Sequence, residues 1–269
     1  MAYQPLSERW PGSLREINDL PEEQKHAIYY TLLPEWLFTR YGIDRKTLTY
    51  NGESVVLLRC PPENRAMEMT VWHRPGARDP VLYLNMVDTA TYQLIVLLLV
   101  INDPDGPRFD VDTDENGKPT HLGTKGRNRR EECRAMEYGL APGQIRPGLR
   151  VFRSGVPIFE AFVRRMGHDL FFIEPLAYHN AIAFERYGFS YERGKQDMQS
   201  IHEAFQPGGK LHAELDGSTP FRQPDAWKTV RGRSWAIHDG LLGHPFSGFQ
   251  MYKRIGKEAG ITTFPDSTW

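Results

Sequence analysis

The sequence predicts an α/β (α+β) protein: a mixed, mostly antiparallel sheet flanked by helices, with an N-terminal helical segment and a C-terminal extension. Three observations carry this expectation. Short apolar runs follow one another between turn-forming clusters across residues 47–122, the pattern of consecutive strands. One of them, LIVLLLVI (94–101), does not alternate, so both its faces are expected to be buried at the centre of the sheet. A later apolar run, DLFFIE, enters only after a helical stretch, so the sheet also takes a strand from beyond a helix.

Residues 1–45 read as helical. In PEEQKHAIYYTLLPEWLFTRYG, Asp19 is placed to cap and Pro21 to open a helix whose first turn is acidic. Pro34 is expected to break it and Gly42 to end the second piece. SVVLLRC, MEMTVWHRP, PVLYLNMVD and YQLIVLLLVI then read as strands separated by PPENR, GARDP and NDPDGP. RFDVDTD alternates and meets Glu115-Asn116-Gly117-Lys118, a hairpin signal. Helices are expected at 128–138, with Asn128 as cap and Gly139 as stop, and at about 157–167, with Pro157 in the first turn and Gly167 past the end. The last 70 residues read as short mixed elements ending in an aromatic tail.

The 269 residues allow a substantial core, and a charged fraction of 25% is ordinary for a globular protein. A formal charge of -1 gives no global attraction to nucleic acid or to an anionic membrane. The greasiest window, VLYLNMVDTATYQLIVLLLVI, is interrupted by Asn85, Asp88, Thr89, Thr91 and Gln93. Its uninterrupted part falls short of the roughly 20 residues that a spanning helix needs. The first fourteen residues lack a basic stretch followed by an apolar one, so no secretory signal is expected. Two cysteines, Cys60 and Cys133, form neither a metal spacing nor a disulfide framework. A cytoplasmic, reducing setting is the expectation.

Several constellations can be weighed. Six of the nine histidines (His168, His179, His202, His212, His238 and His244) fall late in the chain near acids, but none shows a recognised ligand spacing, and no metal site is expected. DVDTDENG (110–117) is not a calcium loop: Glu115 stands where a glycine is needed, and the closing acid falls on His121. No nucleophile elbow, P-loop or dinucleotide fingerprint is present. The segment 234–253, rich in aromatics and glycines, suits ordinary core, a pocket lining or a homodimer contact. A phosphate-binding corner is the positive signal. The Gly-rich turn QIRPGLR feeds a helix start among Arg146, Arg150 and Arg153, with no carboxylate before Glu160. Lys125, Arg127, Arg129 and Arg130 could add a further phosphate contact.

Strand, Gly-containing loop, helix, strand, then HNAIAFERYGF (179–189): over about residues 140–192 this order resembles the GNAT superfamily of acyl-CoA N-acyltransferases. Asn180, Ala181, Ala183, Phe184, Gly188 and Phe189 fit the family's short helix, and Gly148 to Gly167 matches the length of the helix before it. The resemblance implies a GNAT-like core over 46–195, with the helical segment 1–45 before it and an extension over 196–269 packed on it. It implies acetyl-CoA or another acyl-CoA as acyl donor and a small-molecule amine as acceptor. Gln144, Arg146, Gly148, Leu149, Arg150 and Asn180 would then bind the cofactor, with Glu174 or His179 as base. Phe184 stands where the family has the tyrosine that protonates the leaving thiolate, so Tyr187, or else Tyr178 before the helix, would have to substitute in a rearranged pocket. Ile145 and Arg150 also depart from the family's loop, and residues 102–142 separate the greasy strand from that loop. These departures carry the alternative of a GNAT-shaped ligand- or partner-binding protein without transferase activity. A histidine-carboxylate metal enzyme is the third alternative.

Overall fold

A computed structural model describes residues 10–120 and 126–269. The N-terminal helices are short. Helix α1 (Leu14–Asn18) is capped by Ser13, whose hydroxyl accepts from the Glu16 amide at 3.2 Å. Asp19 closes α1 instead of capping the next helix, and its carboxylate accepts from the Glu63 amide at 2.6 Å. Helix α2 (Glu22–Tyr29) opens after Pro21, and α3 (Glu35–Tyr41) follows Pro34 and ends at left-handed Gly42. The two prolines act as expected, because a residue without an amide hydrogen is best tolerated at a helix start.

The strands then come in succession. A two-residue ribbon, β1 (Thr49–Tyr50) and β2 (Glu53–Ser54), turns at Asn51-Gly52, both at positive φ. β3 (Val56–Arg59), β4 (Ala66–Val71), β5 (Leu82–Asp88) and β6 (Leu94–Ile101) form consecutive antiparallel pairs. After the later helices come β7 (Leu170–Ile173), β8 (Ser190–Arg193) and β9 (Gln250–Arg254). The seven-stranded sheet runs β3-β4-β5-β6-β7-β9-β8, so the last strand of the chain sits inside its edge neighbour. β6 and β7 are parallel. The fold is the expected mixed, mostly antiparallel sheet flanked by helices, with β6 fourth of seven. Register puts Met67, Met69, Val71, Leu82, Leu84 and Met86 on one face, all buried. Each contributes on the order of 1.5–3 kcal/mol by leaving water.

Two further expectations need correcting. The 108–118 hairpin reduces to a single bridge between Thr113 and Pro119. Its acids are used locally: Arg108 is ion-paired with Asp110 and Asp112, and the Asp114 carboxylate accepts from the Asn116 and Lys118 amides. Helix α4 (Arg129–Glu137) is capped by Asn128 as expected. Helix α5 spans Phe152–Arg165, so it begins five residues before Pro157, which lies inside it. A proline there removes one amide-to-carbonyl bond but leaves the preceding turn free to form. The helix start is thereby moved next to Arg150.

Helix α6 (Tyr178–Arg186) explains the Gly-Phe that follows it. Gly188 is left-handed, its amide bonds to the Glu185 carbonyl and the Phe189 amide to the Phe184 carbonyl, at 2.9 and 3.1 Å. The Phe184 and Phe189 rings pack at 5.3 Å, the apolar contact that accompanies this kind of helix end. The rest of the chain adds α7 (Lys195–Ala204), α8 (Lys210–Ala213) and α9 (Val230–His238).

The chain divides into two compact units, each drawn from separate segments. Unit 1 takes the described residues through Asp105, with Gly148–Glu174 and Tyr252–Lys257. Unit 2 takes the described parts of Gly106–Pro147, with Pro175–Met251 and Glu258–Trp269. Unit 1 carries β3 to β7 and α5. Unit 2 has its own apolar cluster of Phe109, Val111, Ala135, Leu140, Phe221 and Trp235. No helix among the described residues is long and apolar enough to cross a membrane.

Candidate functional site

Within unit 1 the two halves of β6 meet different surroundings. Leu94, Ile95 and Val96 are buried, and the parallel ladder joins Ile95 to Phe172 and Val96 to Ile173. β7 then ends, while β6 runs on through Leu97 to Ile101, all half-buried. The expectation that both faces of LIVLLLVI are covered therefore holds only for its first half. In a parallel pair alternate residues direct their amide and carbonyl toward the neighbour. Beyond Ile173 those groups of β6 point past the end of β7. A register shift opposite Asn85 and Met86 adds to this, because Leu98 pairs with Asn85 and Val96 with Met86, leaving Leu97 as the extra residue. Such bulges re-aim a strand.

The excursion 102–147 returns to the end of this same strand. A methyl group built on Gly148 would stand 3.4 Å from the Ile101 carbonyl oxygen. Leu149 is half-buried, Arg150 is exposed with φ 57°, and Val151 is the N-cap of α5 with no side chain capping it. Among the described residues, neither Arg150 nor Arg153 forms an ion pair. The positive end of a fourteen-residue helix, two arginines and an apolar strand edge thus lie together in sequence-distant but adjacent positions. The sequence pointed to Gly148, Leu149 and Arg150 but missed the strand edge. A continuous apolar run reads the same whether its second half is covered or open.

Glu174 follows β7 directly and is half-buried, in unit 1. Gly148, Leu149 and Arg150 share unit 1 with it, whereas Gln144, Arg146, His179, Asn180 and Tyr187 belong to unit 2. Gln144 folds back on its own turn, its Oε1 accepting from the Ala141 amide at 2.7 Å. Arg146 donates to the Gly106 carbonyl at 2.6 Å, beside the bond from the Phe109 amide to the Ile145 carbonyl. These two bonds fasten the base of the excursion. Asn180 is the third residue of α6, inside the first turn, and Pro175 to Ala177 make the turn itself. His179 is buried with Nδ1 2.9 Å from Ser234 Oγ. Burial, then the nearby Arg231 and His238, push its pKa down to about 3, so it is neutral at physiological pH. Tyr187 is the half-buried C-cap of α6.

Unit 2 also holds buried charges. Arg127 bridges Glu132 and Asp239, Arg222 donates to Asp239 at 3.0 Å, and His238 contacts Glu132 at 2.9 Å. Burial alone would raise both acids, but the hydrogen bonds from His238 and Arg127 on Glu132, and from Arg127, Thr219 and Arg222 on Asp239, hold them below the usual range. Among the described residues, Arg233 has no carboxylate partner. Its guanidinium bonds to the Trp227 carbonyl at 2.6 Å and lies 3.5 Å over the Phe264 ring. Burial raises Glu185 in spite of hydrogen bonds from Thr263 and Tyr191.

Among the described residues, no group of three or more His, Cys, Asp or Glu could hold a metal ion. The late histidines are engaged separately, His168 with the Gly12 carbonyl and His202 with Arg233 and Gln206. Lys125 and His121 lie outside the described residues, whereas Arg127 is committed to its ion pairs. In the 234–253 segment Trp235, Ile237, Leu241, Phe249 and Met251 are buried. Both cysteines are free.

The fold is thus an α+β protein whose mostly antiparallel sheet has a parallel junction between β6 and β7, with a partly open strand edge beside a helix start. Comparison with protein-family models, curated proteins and solved structures finds no match for this chain.

Proposed function

We propose that the protein is an acyl-CoA-dependent N-acyltransferase of GNAT-like fold, passing an acyl group from acetyl-CoA or a related thioester to a small-molecule amine. The observation that carries this is the meeting of the open Leu97–Ile101 edge with the Gly148–Val151 turn at the start of α5. In α/β sheets, ligands settle beyond the carboxyl ends of parallel strands. An extended, amide-bearing chain could pair with the free edge as an added strand, with a diphosphate at the helix start. Arg150 and Arg153 supply charge there.

In the reaction the amine nitrogen forms a bond to the thioester carbonyl carbon and the carbon–sulfur bond breaks. Glu174 is the candidate to take the amine proton. Phe184 has no proton to give, but a free thiol titrates near 8.5, so a thiolate leaving at neutral pH can be protonated by water. The two free cysteines suit a cytoplasmic setting. Isothermal titration with acetyl-CoA is the test, on the wild type and on Arg150→Asn, which keeps a residue tolerant of positive φ. Saturable binding weakened several-fold in the variant supports the proposal; no heat at millimolar concentration removes it.

His179, deeply buried and committed to Ser234, favours a second reading, a GNAT-shaped binding protein without turnover. Release of free thiol from acetyl-CoA across a broad amine panel would exclude that reading.

A further inference from the structure

Several parts of unit 2 meet at one buried guanidinium. Arg233 of α9 is wholly inside, and its Nε donates to the Trp227 carbonyl at 2.6 Å. Its Nη1 lies 3.4 Å from the Tyr178 hydroxyl of α6 and 3.1 Å from Nδ1 of His202 on α7. The guanidinium carbon stands 3.5 Å from the centre of the Phe264 ring and 5.0 Å from that of Phe205, the residue that closes α7. The His202 ring is 5.3 Å from Phe264 as well. Among the described residues, no carboxylate pairs with Arg233 and its Nη2 has no hydrogen-bond partner.

This contact fixes the protonation state of His202. A guanidinium only donates, so Nδ1 accepts, and the neutral ring carries its proton on Nε2, where the Gln206 side chain lies at 3.0 Å. A proton on Nδ1 would take an acceptor from Arg233 and set a second positive charge against the first. Burial, then Arg233, lower the His202 pKa, while Glu203 on the same helix opposes them. Tyr178, pushed up to about 12 by burial, faces the pair as a neutral hydroxyl. On α8, His212 packs its ring on Trp227, with centroids 5.6 Å apart. Arg233 has no route to water, whereas His202 is half-buried and open to protons from solvent.

We propose that the His202–Arg233 contact is a proton-operated latch: α7 and the segment carrying Phe264 stay seated on α9 while the imidazole is neutral, and acid releases them. Because the folded state holds His202 below its unfolded value of 6.5, the contribution of the latch is fully present above that value and is lost as pH falls through the folded one. Neighbouring shifted groups do not mimic this between pH 7 and 5. The His179 pKa lies at about 3, Glu132 and Asp239 are held below their ordinary values, and Glu185, which is raised, acts in the opposite direction. The latch lies in unit 2 and does not depend on the proposed thioester site.

The test uses the full chain, as wild type and as His202→Asn, whose amide oxygen can accept from Arg233 but takes no proton. Amide hydrogen exchange, corrected for its intrinsic pH dependence, is followed from pH 7 toward pH 5, alongside NMR titration of the His202 ring. In the wild type, protection of Lys195–Phe205 and Thr263–Phe264 should fall several-fold on acidification while β4 and β5 hold. In His202→Asn that loss should disappear, and the wild-type ring should titrate below 6.5. A ring that titrates at or above 6.5, or protection that falls equally in both proteins or in neither, would overturn the latch. Should His202→Asn fail to fold, the ring titration and the wild-type exchange decide alone.

Discussion

The two units differ in how buried charge is linked and in where apolar surface stays partly open. Unit 1 buries aliphatic and thioether side chains on one sheet face, from Met67 and Met69 through Leu84 and Met86 to Leu94. Its anomaly is apolar residues left half open, at Leu97–Ile101. Both units bury charge, Lys25, Asp88 and Lys253 in unit 1 and Glu132, Arg233 and Glu185 in unit 2, but the linked network of Arg127, Glu132, His238, Asp239 and Arg222 belongs to unit 2. Apolar surface costs little to cover and should be covered, so leaving it open marks a place for a ligand. Buried charge is tolerated only where hydrogen bonds compensate it, so the closed networks of unit 2 read as structural. An open edge in one unit and closed charges in the other are the reason the proposed chemistry is assigned to the first.

The largest expected effect comes from breaking a closed network. Glu132→Ala removes an acceptor shared by Arg127 and His238 and should cost about 3–5 kcal/mol, the usual penalty for stranding a buried charge. Denaturant unfolding measures it; a loss below 1 kcal/mol would mean the network is solvated. Next, Leu94→Ala should cost about 2–5 kcal/mol, against about 0.5 kcal/mol for Leu98→Ala in the open half. Equal losses would show that the second half of β6 is as covered as the first.

A smaller effect concerns pH. Burial raises the Glu185 carboxyl, so its contribution to stability is fully present below its unfolded value of 4.5 and is lost as pH rises through the folded one. Glu132 and Asp239 are lowered, so theirs is present above their unfolded values and lost as pH falls through the folded ones. The stability of the wild type relative to Glu185→Gln should therefore improve as pH is lowered from 7 toward 5. A difference constant with pH would contradict the raised carboxyl. The smallest effect is at the end of α6, where Gly188→Ala forces a side chain into positive φ and should lower stability by about 1 kcal/mol.

Local signals carried much of the fold. Pro21, Pro34, Gly42, Asn128 and Gly188 each act through their own backbone, so their roles are visible in a single stretch of sequence. Sheet class followed from the turn clusters between apolar runs. Asp19 and Pro157 misled because their roles depend on what comes before them: a short helix ending at Asn18 and a turn already formed at Phe152. The candidate site was legible only at Gly148–Arg150. Its other wall depends on where β7 stops against β6, a long-range register that no local pattern encodes. The commitment of Arg146 to Gly106, and of His179 to Ser234, is equally non-local.

Amide hydrogen exchange with and without acetyl-CoA tests the open edge most directly. Slowed exchange confined to Leu97–Ile101 and the first turn of α5, with β4 and β5 unchanged, is the predicted result. Exchange that acetyl-CoA leaves unaltered along β6, or slows only in unit 2, would contradict it.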